Sequence, residues 1–123
     1  MIGVNSENSP HYYESFKIGK VTDTPPKPTL SDGSAGNLAS FPNTDKLLEM
    51  VMEAIDEVVL VSEEQIKDAI RYLALENKLV AEGSGAMSLA AALNTPKEER
   101  GKTVCILTGG SIDADKLIKI IGK

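Results

Sequence analysis

Thr108-Gly109-Gly110 directly follows the apolar run Val104-Cys105-Ile106-Leu107. In open α/β sheets, ligands bind beyond the carboxyl ends of strands. A hydroxyl at such a position, followed by two residues without side chains, can form a wall that a flat ligand approaches closely. The same residues also read as a strand-to-helix turn with nothing bound, and the sequence leaves both readings open. Two other glycine-rich stretches, Gly33-Ser34-Ala35-Gly36 and Gly83-Ser84-Gly85-Ala86, read as a turn and as a close helix contact. His11 is the only histidine, so a histidine metal site or a histidine triad has little to build on. No P-loop and no Gly-x-Gly-x-x-Gly is present. Cys105 is the single cysteine, which excludes an internal disulfide and fits a reducing cytoplasm. Its apolar neighbours make it read as a buried, inert thiol.

The elements that must position these residues follow from periodicity. Ile2-Gly3-Val4 reads as a short strand, and Lys20-Val21-Thr22 as another. Pro10 suits the first turn of a helix over 11–18, which Gly19 closes. Thr24-Pro25-Pro26-Lys27-Pro28 excludes regular structure, because three prolines remove donors and favour extended backbone. Residues 31–37 form a polar loop by composition. Leu47, Leu48, Val51, Met52 and Ile55 recur at helical spacing. Val58-Val59-Leu60-Val61 is a β-branched run of the kind buried on both faces of a sheet. Ser62 and Gln65 form a capping box ahead of the apolar face Ile66, Ala69, Ile70 and Leu73. Glu82–Ala86 opens a small-residue helix over 87–93 that can pack close to a neighbour. Val104–Leu107 reads as a further buried strand, and Asp113 as the cap of a last helix through Leu117, Ile118 and Ile121. Strands alternating with helices predict an α/β fold with a mainly parallel open sheet and flanking helices.

The bulk properties bound the function. The 123 residues fit one domain over 1–123. The chain is 41% hydrophobic and 25% charged, ordinary for a globular protein. The net charge of -5 argues against nucleic acid or an anionic membrane as partner. The first residues show no basic region followed by an apolar one, and no apolar run is long enough to span a membrane.

Several ordered stretches resemble the C-terminal portion of the catalytic domain of pyridoxal phosphate (PLP)-dependent threonine and serine dehydratases, the fold-type II group that includes serine racemase. They are "IGVNSENSP", "SFKIGKV", "TLSDG", the extended run "VVLVSEEQIKDAIRYLALENKLVAEGSGAMSLAAAL", and "CILTGGSID". Their agreement in order and spacing is specific where each alone is weak. The resemblance implies a piece of the large domain of such an enzyme. It places Thr108 where a hydroxyl hydrogen-bonds the cofactor ring nitrogen, and Gly109, Glu82, Gly83, Asp32 and Gly33 near that ring. A neutral hydroxyl does not stabilise a protonated pyridinium as a carboxylate would, which suits β-elimination over transamination.

The same resemblance implies what this chain does without. "SFKIGK" looks like the Ser-x-Lys-x-Arg-Gly motif that carries the cofactor, but Lys17 lacks the following arginine and sits where the dehydratases carry a look-alike segment. Lys17 therefore reads as a solvated helix-end lysine. The Schiff-base lysine, the substrate-carboxylate loop and the tetraglycine phosphate loop lie outside the match, so the chain is expected to hold no catalytic residue and to bind no cofactor alone. Metal-binding relatives use a glutamate, a carbonyl four residues on and an aspartate six residues on. Glu7 and His11 match the first two and Tyr13 replaces the third, which predicts no metal site. Ser111 replaces the family's asparagine, and the loop after Asp32-Gly33 departs from the pattern. The expected function is the C-terminal part of a cytoplasmic threonine/serine ammonia-lyase, with a non-catalytic binding or self-association module as the alternative. The expected partner is the N-terminal half of the enzyme or a second copy. Ile2-Gly3-Val4, Val59-Leu60-Val61 and the alanine-rich helix are the surfaces expected to meet it.

Overall fold

A computed structural model describes residues 1–122. Two strands, β1 (Ile2–Ser6) and β2 (Glu57–Val61), pair in parallel, with Ile2 opposite Glu57 and Ser6 opposite Val61. The backbone bond from Glu7 N–H to the Val61 carbonyl (2.9 Å) carries the pairing one residue further. Parallel strands need a long crossover. Here it contains α1 (His11–Ile18), a loop with two short 3-10 turns at Asp32–Ser34 and Leu38–Ser40, and α2 (Thr44–Ala54).

Helix α3 (Glu63–Tyr72) begins at the predicted capping box. The Ser62 hydroxyl accepts from the Gln65 N–H (3.2 Å), and the Gln65 carboxamide accepts from the Ser62 N–H (2.9 Å). Ile66, Ala69, Ile70 and Leu73 are all 3% exposed or less, so the predicted face is the core face. They pack with Val61, Ala81, Met87 and Ile120. Truncating Ile66 to Ala would cost roughly 2–5 kcal/mol, the usual range for a buried Ile. A π-helical turn (Leu73–Asn77) ends in Lys78 at φ 59°, and α4 (Gly83–Leu93) follows. Ala86 and Ala90 of α4 are fully buried, so the small residues do bring it close to its neighbours. Helix α4 starts four residues earlier than expected, its first turn built from the glycines themselves. A short α5 (Lys97–Arg100) and α6 (Ala114–Ile121) complete the chain.

Several expectations fail for identifiable reasons. Val104–Leu107 pairs with neither strand; Val104 is 91% and Ile106 70% exposed. The segment is tied to α4 instead, where the Ser88 hydroxyl donates to the Ile106 carbonyl (2.8 Å). An apolar run has no sheet structure without a neighbour to complete its ladder. Cys105 is accordingly half-buried rather than buried. Lys20–Thr22 is irregular, the Thr22 N–H being satisfied by the Ser15 hydroxyl (3.1 Å). Of the apolar residues on α2 only Leu48 is buried, while Leu47 and Met52 are exposed. Val58 and Val61 are buried but Val59 and Leu60 only half-buried, so β2 is not covered on both faces. On α6, Leu117 and Ile120 pack toward the core, which the sequence did not assign, and Ile118 points to solvent. Asp113 starts that helix without a side-chain cap bond, because its carboxylate pairs with Lys116 (3.1 Å). Finally, of the surfaces expected to meet a partner, Val61 and the Ala86, Ala90 and Ala92 side of the alanine helix are buried within the chain's own core, while Ile2 is exposed. Further exposed apolar residues include Met1, Leu79, Val80, Val104 and Ile106.

Candidate functional site

Three segments distant in sequence converge beside the start of α4. The Glu82 N–H donates to the Gly109 carbonyl (3.0 Å), joining the entry of α4 to the Thr108-Gly109-Gly110 segment. The Ser34 and Ser84 hydroxyls are 3.0 Å apart, joining the Asp32–Ser34 turn to the same helix start. The glycines make this approach possible. A Cβ at Gly83 would lie 2.0 Å from the Leu30 carbonyl oxygen, and one at Gly85 would lie 2.2 Å from the Gly109 carbonyl oxygen. A Cβ at Gly109 would lie 2.3 Å from Glu82 Oε1. At Gly83 and Gly85 a methyl would press on backbone, so the glycines serve chain-on-chain packing first.

The structure thus brings together five of the six residues singled out from sequence: Asp32, Gly33, Glu82, Gly83 and Gly109. Thr108 adjoins them through Gly109; its side chain is exposed and makes no hydrogen bond among the described residues. A cleft of about 60 Å³ is lined by Asp32, Glu82, Gly83, Ser111, Asp113 and Lys116 among others. The Lys116 ammonium lies 3.1 Å from Asp113 and 4.0 Å from Asp32. The Asp113 hydrogen bond and charge, and then the Asp32 charge, raise its pKa above the ordinary lysine value.

What sequence reasoning missed is the clasp behind the wall. Glu63 Oε1 accepts from the Ser6 hydroxyl (3.0 Å) and the Thr29 hydroxyl (2.5 Å), and Oε2 accepts from the Leu30 N–H (2.7 Å). One carboxylate at the first turn of α3 therefore ties the end of β1 to the loop leading into Asp32-Gly33. The signal available in the sequence was only a glutamate after a cap residue, which reads as a helix-dipole partner.

Lys17 and His11 lie elsewhere. Lys17 is exposed, its ammonium 5.8 Å from the centre of the Tyr13 ring. His11 is 7% exposed, and its Nδ1 donates to the Ser9 carbonyl (3.1 Å). Burial pushes its pKa below the ordinary histidine value, against the raising effect of that bond.

Residues 1–109 match the family of pyridoxal-phosphate dependent enzymes. The chain belongs to that family. It is 39% identical over its full length to an L-threonine ammonia-lyase of Thermotoga maritima, and covers 30% of that protein. Over 99% of its length it is 37% identical to a catabolic L-threonine dehydratase of Escherichia coli, covering 37% of it. Among solved structures, a threonine deaminase from T.th. superposes with a TM-score of 0.69 at 28% identity, over 91% of this chain and 40% of that one. The serine racemase of Dictyostelium discoideum gives 0.75 at 26%, over 91% and 35%. The chain thus has the α/β architecture of fold-type II enzymes and aligns with the C-terminal portion of relatives about three times its length.

A PLP ring with its phosphate is far larger than the 60 Å³ cleft, since ligand pockets begin near ~300 Å³. The residues present fit one open face of a flat ring, with the Thr108 hydroxyl free at the surface beside a glycine ledge. They do not enclose it.

Proposed function

We propose that this chain supplies one wall of the cofactor site of a PLP-dependent threonine/serine ammonia-lyase. The observation that carries the reading is the convergence of the Asp32-Gly33, Glu82-Gly83 and Thr108-Gly109 segments at one surface, in a chain that aligns from end to end with threonine ammonia-lyases. In this reading the exposed Thr108 hydroxyl would donate to the ring nitrogen. Gly109, lacking a Cβ, would leave room for the ring against the backbone, and Glu82 and Asp32 would hold its edge. The cofactor, when bound, supplies the electron sink that lets a hydroxy amino acid lose its α-proton and β-hydroxyl as water. Hydrolysis of the product then gives a 2-oxo acid and ammonia.

The reaction also requires a lysine and a phosphate-binding loop, which the three wall segments do not contain; Lys17 lies exposed at the end of α1, 5.8 Å from the Tyr13 ring centre. In this reading the wall works together with a portion equivalent to the remainder of the relatives' length, and the single domain formed by residues 1–123 takes part in a homo-oligomeric cytoplasmic assembly. That portion docks on the exposed apolar residues around Leu79, Val80, Val104 and Ile106; burying such a surface is the main favourable term in association.

The test supplies that complementary portion of the Thermotoga maritima relative in trans. The visible absorbance of lysine-bound cofactor and the release of 2-oxo acid from threonine and serine are followed together. The isolated chain is expected to show neither, and the mixture both. Thr108→Ala should lower turnover in the mixture and Lys17→Ala should leave it unchanged. Cofactor absorbance in the isolated chain that disappears with Lys17→Ala would overturn the proposal, as would a mixture that stays inert.

A further inference from the structure

A second cavity lies on the other side of Lys116, between α3 and α6. It has a volume of about 310 Å³ and is lined by Leu30, Lys67, Arg71, Lys116, Lys119 and Ile120. Four of these six residues are cationic and none is acidic. The chain carries a net charge of -5, so this concentration of positive charge runs against its overall balance. We propose that this groove binds a small phosphorylated metabolite, the phosphoryl group against Arg71 and Lys119 and a short uncharged portion over Leu30 and Ile120.

The donors are partly fixed in place. Arg71 Nε donates to the Ile120 carbonyl (2.9 Å) and one terminal nitrogen to Asp68 (2.6 Å). The guanidinium is thereby held against α6 with its other terminal nitrogen uncommitted, and its side chain is only 24% exposed. A guanidinium pre-set in this way loses little freedom on binding phosphate and can meet it through more than one N–H. Lys119 has no ion-pair partner among the described residues. Lys67 and Lys116 lean on Glu64 and Asp113, each one turn back on its own helix. Exposed pairs of this kind contribute little and are easily given up. A phosphate monoester carries nearly two negative charges and several acceptors, so it can draw on all four cations together. The volume sits at the lower end for small-molecule sites, enough for a phosphate ester of a few carbons and too small for a nucleic acid strand or a protein segment.

Leu30 and Lys116 line both this groove and the cleft beside Glu82. A ligand that recruits Lys116 draws it from Asp32, so occupancy of the groove is felt at the candidate cofactor wall. The site itself does not depend on that wall's function.

The test titrates the full chain with inorganic phosphate and with glycerol 3-phosphate at low salt, using glycerol as the neutral control. Calorimetry and amide chemical shifts are the readouts. Expected is saturable binding, tighter for glycerol 3-phosphate than for phosphate, absent for glycerol, with shifts centred on Arg71, Lys116, Lys119 and Ile120 and reaching Asp32 and Gly33. Lys119→Gln, at an exposed position where folding is undisturbed, should weaken it about tenfold, the equivalent of one charge-assisted hydrogen bond. Arg71→Lys should weaken it further while Lys17→Gln leaves it unchanged. Absence of saturation, equal losses with Lys17→Gln, or shifts centred away from α3 and α6 would overturn the proposal.

Discussion

Replacing Glu63 should loosen the loop behind the candidate wall more than its half-buried surface position implies. Its two oxygens accept from Ser6 Oγ, Thr29 Oγ1 and Leu30 N at 3.0, 2.5 and 2.7 Å. Ser6 is only 2% exposed, so its hydroxyl cannot turn to water without a rearrangement. Hydrogen bonds to a charged group are worth roughly 1.5–3 kcal/mol each when measured by deletion. Three sharing one carboxylate are not additive, and the partly solvated site calls for the low end. Glu63→Ala should therefore cost about 3 kcal/mol. Glu63→Gln keeps one carbonyl oxygen but turns an NH2 toward a former donor, and should cost roughly 1–2 kcal/mol. For a chain of this size that corresponds to a melting point lowered by roughly 10 °C for the alanine variant. Urea denaturation followed by circular dichroism gives the free energies, and hydrogen exchange at the Leu30 amide reports the loop directly. Glu49→Ala, on the exposed side of α2, is the control and should stay within ~0.5 kcal/mol of the parent. If Glu63→Gln matched the parent within that margin, with Leu30 exchange unchanged, the clasp would carry no weight and the reasoning would be refuted.

Gly83→Ala places a Cβ 2.0 Å from the Leu30 carbonyl and should destabilise by roughly 3 kcal/mol or more, whereas Gly36→Ala, with nothing within 4 Å, should be close to neutral; paired urea melts decide. His11 is buried with its pKa held below the ordinary value of 6.5. The unfolded chain therefore binds the proton more readily than the folded one, so the stability associated with neutral His11 is complete above pH ~6.5 and is lost as pH falls through the folded pKa. Thermal melts of the parent and His11→Gln from pH 7.5 to 5 should show a steeper decline for the parent, and parallel curves would contradict this.

Local chemistry fixed a definite part of this molecule. The capping box at Ser62 and Gln65 and the 3.6-residue spacing of Ile66, Ala69, Ile70 and Leu73 are satisfied within one helix, and both are found as read. The left-handed Gly19 that closes α1 is equally local, since only a residue without Cβ adopts φ 85° at no cost. The ordered motifs also carried the family membership, because spacing along the chain survives whatever the chain packs against. Tertiary structure decided everything that needs a second surface. Whether Val104–Leu107 is a strand depends on a neighbour to pair with, and its exposed side chains follow from having none here. Which face of α6 turns inward was settled by the groove beside α3, placing Ile120 inside and Ile118 outside. The convergence of Asp32, Glu82 and Gly109, the three bonds to Glu63 and the four cations around one cavity are likewise long-range. Side chains far apart in sequence carry no mark of their meeting, because packing and hydrogen bonding select partners by position in space and not by order along the chain.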